Sequence, residues 1–294
     1  MFRLIHISDL HLAPLPRFSL IDLMGKSLIG YMNWHFHRKY KMEEGTLCLL
    51  LNDIYKRDPS HLAISGDIVN LSSYSEFVQA WKKIRELGDT RDVSLVFGNH
   101  DVYVCGALRK ACRIFSPWIT DNEVTKNFFP YMRVRGEVVI IGISSAMVTP
   151  PFFSFGYFSV RQEKKMEVLL KKAEALGLFR IVMIHHPPLY GLEWHKRLWG
   201  IKRFQRVVGE NGAELILHGH THLPTLFFMA GKNARVPVVG VSSASQSFGK
   251  ERPPAGYNLF EITRKGGKNW ECSLTRYSIL DKNGNIGVIE HEKL

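Results

Sequence analysis

Six short apolar runs along the chain each end abruptly in polar or glycine-rich residues. They occupy residues 2–8, 61–67, 94–101, 138–145, 180–186 and 214–220. These runs are rich in Ile, Val and Leu and show little alternation, which is typical of strands covered on both faces. Helical patterns separate several of them, at about residues 43–57, 73–87, 159–176 and 199–210. Strand and helix in alternation predict a layered α/β fold.

The pattern changes toward the C-terminus. Apolar runs follow there without long helices between them, at residues 225–230, 236–243, 257–263 and 270–279. We predict that they are antiparallel strands completing a second sheet. Residues 281–294 are polar and predict a loosely held tail, so we expect a single domain over residues 1–280.

The charge of the chain favours an anionic partner. Its 39 basic and 27 acidic residues give a formal net charge of +12. Such an excess suits a phosphate compound, a nucleic acid or an acidic membrane surface, or it marks a generally basic soluble protein. At 294 residues and 45% hydrophobic, the chain is otherwise ordinary globular material with enough apolar residues for a substantial core.

The cysteines and the N-terminus bear on the compartment. The four cysteines form no CxxC pair, which excludes a zinc ribbon and a redox motif of that kind. The first residues, "MFRLIHISDLHL", lack the basic region and long apolar core of a signal peptide. No stretch approaches the roughly 20 apolar residues of a membrane-spanning helix. We therefore expect a cytoplasmic protein.

Residue types that bind metals follow five of the predicted strands. These blocks are Asp9-Leu10-His11, Gly66-Asp67, Gly98-Asn99-His100-Asp101, His185-His186-Pro187 and His218-Gly219-His220-Thr221-His222. In α/β sheets the carboxyl ends of strands form the usual ligand crevice, so the blocks can assemble one site. Carboxylate, imidazole and amide oxygen suit Mn, Fe, Zn, Ni or Co, and the ligands are too many for one ion. Two ions sharing a carboxylate would use them all.

Each block also has a structural explanation. Asp9 is a residue type that often caps a helix, and Gly66-Asp67 is an ordinary turn. The two histidines before Pro187 fit a loop, and we interpret His218 as a strand residue. The five blocks in order, each at a strand end, favour a common site over five independent turns.

The blocks resemble the signature of the calcineurin-like metallophosphoesterases, D-x-H, GD, GNH(D/E), H and GH-x-H, from Asp9 to His222. The resemblance implies a four-layer αββα sandwich with two mixed β-sheets. It also implies two divalent metal ions, manganese first among them, and a metal-bridging hydroxide that attacks phosphorus. It implies one metal held by Asp9, His11 and His222, a second held by Asn99, His185 and His220, and Asp67 bridging both.

The same resemblance implies that His100 faces the phosphate without binding metal, and that Asp101 orients it. In the doublet, the H-x-P pattern favours His185 over His186 as the ligand. Gly219 is expected to permit a tight backbone between the ligand histidines. Some members of this fold have lost their metals and act as binding scaffolds, but no ligand position is missing here.

Residues 13–42, directly after the first block, bear on the substrate. Leu20, Met24, Leu28 and Tyr31 recur at helical spacing, and basic residues crowd the end of the segment at Arg38, Lys39 and Lys41. This pattern fits a membrane-surface helix or a lipid-binding lid. A helix packed on the core is the alternative.

Two later segments bear on the same question. Residues 147–158 form an apolar, proline-broken segment with five aromatic residues, of a kind that is often buried or binds a ligand. Residues 190–204 mix aromatic and basic side chains after His185. From this segment we predict substrate contacts by Trp194, Arg197, Lys202 and Arg203. They would hold a nucleobase and a pyrophosphate, unless they form a solvated basic helix face.

Together these segments favour an amphiphilic phosphoester such as UDP-2,3-diacylglucosamine, with peripheral contact at the inner face of the membrane. The diacylglucosamine hydrolases of lipid A synthesis are similar, although their best-known branch carries Arg where this chain has His100. A cyclic AMP phosphodiesterase is the alternative. A nuclease is less favoured, because we find no interleaved aromatic platform for single strands. The sequence leaves the oligomeric state open.

Overall fold

The computed structural model describes residues 1–18, 25–36, 42, 44–120, 128–267 and 269–294. The elements of the first half are β1 (Phe2–Ile7), α1 (Lys26–Phe36), α2 (Glu44–Lys56), β2 (His61–Ile64), α3 (Tyr74–Leu87), β3 (Val93–Leu95), α4 (Ala107–Ile114), α5 (Ser116–Ile119), β4 (Tyr131–Arg135) and β5 (Val138–Gly142). The elements of the second half are β6 (Gly156–Tyr157), α6 (Val160–Ala175), β7 (Phe179–Met183), β8 (Leu198–Trp199), α7 (Ile201–Asn211), β9 (Leu215–His218), β10 (Leu226–Ala230), β11 (Arg235–Gly240), β12 (Gly256–Gly266), β13 (Asn269–Ile279) and β14 (Ile286–Lys293).

Two mixed sheets of six strands form the centre of the molecule. The first has the order β14-β13-β12-β1-β2-β3, and the second has the order β10-β11-β9-β7-β5-β4. In the first sheet β1 pairs parallel with β2 and antiparallel with β12. In the second sheet β5, β7, β9 and β11 run parallel to one another. The predicted α/β class with two mixed sheets is therefore confirmed.

Two of the predicted helices, α3 and α6, begin directly after a serine that caps their first turn. α3 follows Ser73, whose side chain accepts a hydrogen bond from the backbone N–H of Glu76 while the Glu76 side chain accepts one from the backbone of Ser73. This reciprocal capping satisfies two donors that a helix start leaves exposed. α6 follows Ser159, whose side chain accepts a single hydrogen bond from the backbone N–H of Gln162. The buried faces of α6 and α7 pack with the second sheet around Phe158, Met166 and Phe204.

The pairing of the C-terminal strands differs from the prediction. β10 and β11 join the second sheet, but β12 and β13 join the first, and β11 runs parallel to β9. A local pattern predicts a strand but not the strand with which it pairs, since pairing depends on residues far along the chain. The expectation of a loosely held tail is also wrong at residues 286–293, which form β14 on β13. Charged residues such as Glu290 and Glu292 make that strand look like a tail, yet charge is common on an edge strand.

The segment 13–42 contains a helix, α1, over Lys26–Phe36. The predicted apolar positions Leu20 and Met24 and the basic end at residues 38–41 lie outside the described residues. Among the described residues, no helix is both long and apolar enough to cross a membrane.

Candidate metal centre

Residues from both sheets meet at one edge of the molecule. Asp9 and His11 follow β1, Asp67 follows β2, and Asn99 follows β3 of the first sheet. The second sheet contributes His185 after β7 and both His220 and His222 after β9. The backbone N–H of His220 donates to Oδ2 of Asp9 at 3.1 Å, which ties the two sheets together at this point. All seven residues predicted as metal ligands therefore lie at the expected strand ends.

Ligand atoms face one another at short distances. Nε2 of His222 lies 3.1 Å from Oδ1 of Asp9. Oδ2 of Asp67 lies 3.4 Å from Nε2 of His185 and 3.8 Å from Nε2 of His11. Two groups of buried ligand atoms each fit within 4.8 Å, namely Asp9-His11-His222 and Asp9-Asp67-His185. Asp67 lies between a ligand of each proposed metal, as a bridging carboxylate should, while Asp9 is within reach of both groups. Asp67 as the bridge stays a prediction.

The donor set fits a pair of divalent ions. Among the described residues, neither Oδ1 of Asp9 nor Nε2 of His185 makes a hydrogen bond, although both atoms are buried. Leaving such groups buried and unsatisfied is costly, and a bound cation removes that cost. Burial acts to raise the pKa of Asp67, but the neighbouring His185 and His100 outweigh it and hold that pKa well below its usual value. The carboxylate is thus ionised and ready to bind a cation.

The side chains of His220 and Asn99 also lie close enough together to bind one cation. Nε2 of His220 lies 2.9 Å from the carbonyl oxygen of Lys196, and Nδ1 lies 3.0 Å from Oδ1 of Asn99. Burial and then the charge of His185 lower the pKa of His220 to about 3, so the ring is neutral and has one N–H. If that N–H donates to Lys196, the lone pair on Nδ1 faces another acceptor. A cation bound by both side chains would remove this unfavourable contact between two acceptors.

The two histidines of the doublet have different surroundings. Nδ1 of His185 donates to the carbonyl oxygen of Ser65 at 2.8 Å, which fixes the ring so that Nε2 faces Asp67. Such a hydrogen bond behind a ligand is usual at metal sites. In His186 both nitrogens are engaged, at 2.8 Å by Oγ of Ser145 and at 2.9 Å by the carbonyl oxygen of Ser154. These contacts support His185 as the ligand.

The backbone of the site is strained. The φ angles lie between 41° and 69° at Asp9, His11, Asp67, His220 and His222. Side chains other than glycine seldom adopt this left-handed conformation, and clusters of such residues are typical of functional sites.

Gly219 supports the same tight geometry. A Cβ atom at this position would lie 1.9 Å from Oγ of Ser8 and 2.7 Å from Oδ2 of Asp9. Real contacts of this kind do not occur, so only glycine lets the loop after β9 approach the loop after β1. The expected role of Gly219 is confirmed.

The predicted ligands thus stand at strand ends, in the order of the signature that the sequence resembles. A family model described as "Calcineurin-like phosphoesterase" matches residues 2–224. The chain belongs to the calcineurin-like phosphoesterase family. It is therefore a metal-dependent phosphoester hydrolase with a dinuclear site for divalent metal ions.

Solved structures agree in fold. The phosphoesterase is similar to a dimetal phosphatase from Danio rerio, with a TM-score of 0.63 and 11% identity over 99% of this chain and 98% of that one. It is also similar to purple acid phosphatase PPD1 from yellow lupin, with a TM-score of 0.57 and 13% identity over 99% of this chain and 53% of that one. At these identities the likeness establishes the fold alone. No curated protein sequence matches the chain.

His100 and Asp101 of the phosphoesterase take different positions. Nδ1 of His100 donates to the carbonyl oxygen of Asn70 at 2.7 Å. Both oxygens of Asp101 accept backbone hydrogen bonds, at 2.8 Å from Ile68, 3.0 Å from Val69 and 2.8 Å from Gly98. Asp101 thus braces the loops after β2 and β3, and the hydrogen bond that orients the His100 ring comes from Asn70. Sequence reasoning assigned that orienting role to Asp101, because the carbonyl of Asn70 carries no signal in the sequence.

Tyr103 connects His100 to α1. The rings of Tyr103 and His100 stack with centroids 5.7 Å apart and 8° between their planes. Nζ of Lys26, the first residue of α1, lies 4.1 Å from the centroid of the Tyr103 ring. Gly30 of the same helix has no room for a Cβ atom, which would lie 2.7 Å from Oη of Tyr103. Helix α1 therefore packs closely on a residue that touches the proposed catalytic histidine.

A cavity of about 300 Å³ opens above the ligands. Its walls are formed by Asn33, Met42, Asp67, Asn99, His100, Ser154, Lys196, His220, His222, Gln246 and Arg252. The four residues predicted to contact substrate are not among them. The exposed Trp194 packs on Phe153 at 5.2 Å, and the guanidinium of Arg203 donates to the carbonyl oxygen of Phe158. Arg197 and Lys202 are exposed, and the roles of all four in binding stay predictions.

Sequence reasoning missed a sixth strand-end loop. Residues 241–247 follow β11 at the same edge, and Oγ of Ser243 donates to the carbonyl oxygen of Asp9 at 2.7 Å. The backbone N–H of Ala244 donates to the carbonyl oxygen of Ser8 at 2.9 Å. This loop carries Gln246 to the cavity wall. In the sequence this loop appears as an apolar run that ends in serines. Such a run resembles the other strand ends, but it contains no residue type that binds metals.

Proposed function

We propose that this phosphoesterase hydrolyses an amphiphilic phosphoester, a lipid-linked nucleotide diphosphate such as UDP-2,3-diacylglucosamine. The exposed apolar surface of α1 carries the proposal. Leu28, Ile29, Met32 and Phe36 are 47%, 40%, 51% and 63% exposed. Asn33 of the same helix lines the cavity, so the apolar surface lies directly beside the polar site. Clustered exposed apolar residues mark surfaces that meet lipid or a partner.

A second apolar surface adjoins the cavity. Phe152 is 85% exposed, and Ser154 of the same segment lines the cavity wall. Trp194, which packs against this segment, is 56% exposed. An acyl chain could rest against either surface while the phosphates reach the metals.

Basic residues on the cavity wall suit a pyrophosphate. Lys196 and Arg252 both line the cavity. Their charges would neutralise the phosphate that is not under attack. With a net charge of +12, the protein would also be attracted to anionic lipid headgroups. We place it in the cytoplasm, in peripheral contact with the inner face of the membrane.

The residues of the site have separable tasks. Two divalent ions, manganese in our proposal, supply Lewis acidity and a nucleophile at neutral pH when bound. The ligand set is equally compatible with Fe, Zn, Ni or Co. Asp9, His11, Asp67, Asn99, His185, His220 and His222 would hold the ions. Nδ1 of His100 donates its hydrogen bond to the carbonyl oxygen of Asn70. Nε2 is therefore the nitrogen that would transfer a proton to the leaving oxygen.

A cyclic AMP phosphodiesterase is the second candidate. The cavity of about 300 Å³ lies at the small end of ligand sites, and its walls are mostly polar. A compact nucleotide would fill it without using the apolar surface of α1. In that case the exposed residues of α1 would serve another purpose.

Turnover of two substrates tests the proposal. The manganese-loaded enzyme is given UDP-2,3-diacylglucosamine in detergent and, separately, cyclic AMP. We expect preference for the lipid, and a loss of at least tenfold on the lipid for Met32→Asp relative to its loss on cyclic AMP. Val168→Asp is the matched control, because Val168 on α6 is 63% exposed and does not line the cavity. Preference for cyclic AMP, or equal losses on both substrates, would contradict the lipid assignment.

A further inference from the structure

Gln246 has a buried side-chain amide with no partner. The residue is only 1% exposed, and it lines the same cavity as His100 and His222. Neither Oε1 nor Nε2 makes a hydrogen bond to any part of the chain that the structure describes. Native proteins rarely leave both atoms of a buried amide unsatisfied, so such a group calls for a ligand.

The position of Gln246 is fixed relative to the metal ligands. Its carbonyl oxygen accepts a hydrogen bond from the backbone N–H of Ala255 at 2.9 Å, and Met42 pairs with it in an isolated β-bridge. Three residues earlier, Ser243 bonds to the backbone of the metal ligand Asp9. The amide is therefore held on the cavity wall by the loop that also braces the first ligand block.

The donor and acceptor of the Gln246 amide limit the chemical groups that it can bind. A carboxamide presents a donor and an acceptor side by side in one plane. Phosphate oxygens only accept, and an acyl chain offers neither. The edge of a nucleobase offers an acceptor beside a donor, and Gln and Asn side chains pair with bases through both atoms. In the proposed function, the metals and the cavity residues Lys196 and Arg252 would bind the phosphates, which leaves the amide of Gln246 for another part of the substrate.

We propose that Gln246 forms a nucleobase subsite in the cavity of this phosphoesterase, and that it selects substrates by the base attached to the phosphoester. The inference deepens the proposed function and rests on it for the hydrolysis of a nucleotide compound. It requires a base in the substrate but not a lipid.

The test compares Gln246→Leu with the native enzyme on three substrates. These are UDP-2,3-diacylglucosamine, cyclic AMP and bis(p-nitrophenyl) phosphate, of which only the first two carry a base. Removing one side of a buried hydrogen-bond pair leaves the other unsatisfied, so we expect kcat/KM to fall about 10- to 100-fold on each base-containing substrate that the native enzyme turns over. The loss on bis(p-nitrophenyl) phosphate should be at least tenfold smaller. Gln79→Leu is the matched control, because this half-buried glutamine on α3 lies outside the cavity.

Competition assays separate the base from the sugar. We expect UMP or AMP to inhibit the native enzyme better than ribose 5-phosphate, and Gln246→Leu to abolish the difference. Equal inhibition by all three compounds, or equal losses on all three substrates with full metal content, would overturn the subsite. Gln246→Glu, which keeps the shape of the side chain, replaces the leucine variant if thermal melting shows that the latter is unfolded. A native enzyme that prefers cyclic AMP would refute the lipid assignment and leave this test intact.

Discussion

The floor and the rim of the cavity are built in different ways. The floor consists of the seven predicted metal ligands and His100, and each follows a strand of one of the two sheets. The rim consists of α1 and the segments 147–158 and 190–204, which lie outside the two sheets. The floor is polar, largely buried and strained in its backbone, whereas the rim exposes residues such as Phe152 and Met32. Under the proposed function, the sheets determine the chemistry, while the rim selects the phosphoester that reaches it.

The largest expected effect lies at the centre of the floor. Asp67→Ala should reduce kcat by roughly 10³-fold or more, because the carboxylate lies within 3.8 Å of His11 and 3.4 Å of His185. Elemental analysis should show that both metals are lost or greatly weakened. Asp58→Ala is the control and should behave as the native enzyme, because the carboxylate is 92% exposed and pairs with Arg3 at the surface. One fully occupied and active metal site in the Asp67 variant would refute the bridge.

His100→Ala separates proton transfer from metal binding within the floor of the same cavity. We expect both metals to remain and kcat to fall about 10²-fold, the usual scale for a general acid. The loss should be much smaller with p-nitrophenol as leaving group, since that oxygen needs no proton to depart. A variant that loses its metals instead would make His100 a ligand.

The smallest effect is expected where the rim touches the floor. Tyr103→Leu removes the ring between Lys26 of α1 and His100, and should lower kcat about tenfold through misplacement of the histidine. Metal content should not change. Tyr103→Phe keeps the ring and should retain most of the activity. If the leucine variant changes KM alone, Tyr103 does not position His100, and floor and rim act independently.

The residues of the floor could be predicted from the sequence, because each local motif follows a recognisable strand and the fold brings these strand ends together. Asp9, Asp67 and Asn99 each follow a recognisable strand, and strand ends converge in this class of fold. The choice of His185 over His186 came from a following proline, while its physical cause, the hydrogen bonds of His186 to Ser145 and Ser154, joins distant elements.

The rest of the site depends on pairing between distant parts of the chain. No local pattern assigns β12 and β13 to the first sheet or brings the loop after β11 against Asp9. Nothing in the local sequence marks Tyr103 as a contact of His100, since its contact with α1 exists only in the folded protein. The predicted contacts of Trp194 and Arg197 rested on composition alone, which says nothing about the direction of a side chain.

The place of β1 in its sheet has a consequence for protein synthesis. β1 lies between β2 and β12, and the hydrogen bond of 3.3 Å between His6 and Asn258 spans 252 positions. The first metal-binding block leaves the ribosome long before β12, one of the two strands that flank β1, is translated. The sheet around that block is therefore complete only after β12 has been translated. A chain released too early would present β1 as an open sheet edge, available to other nascent chains.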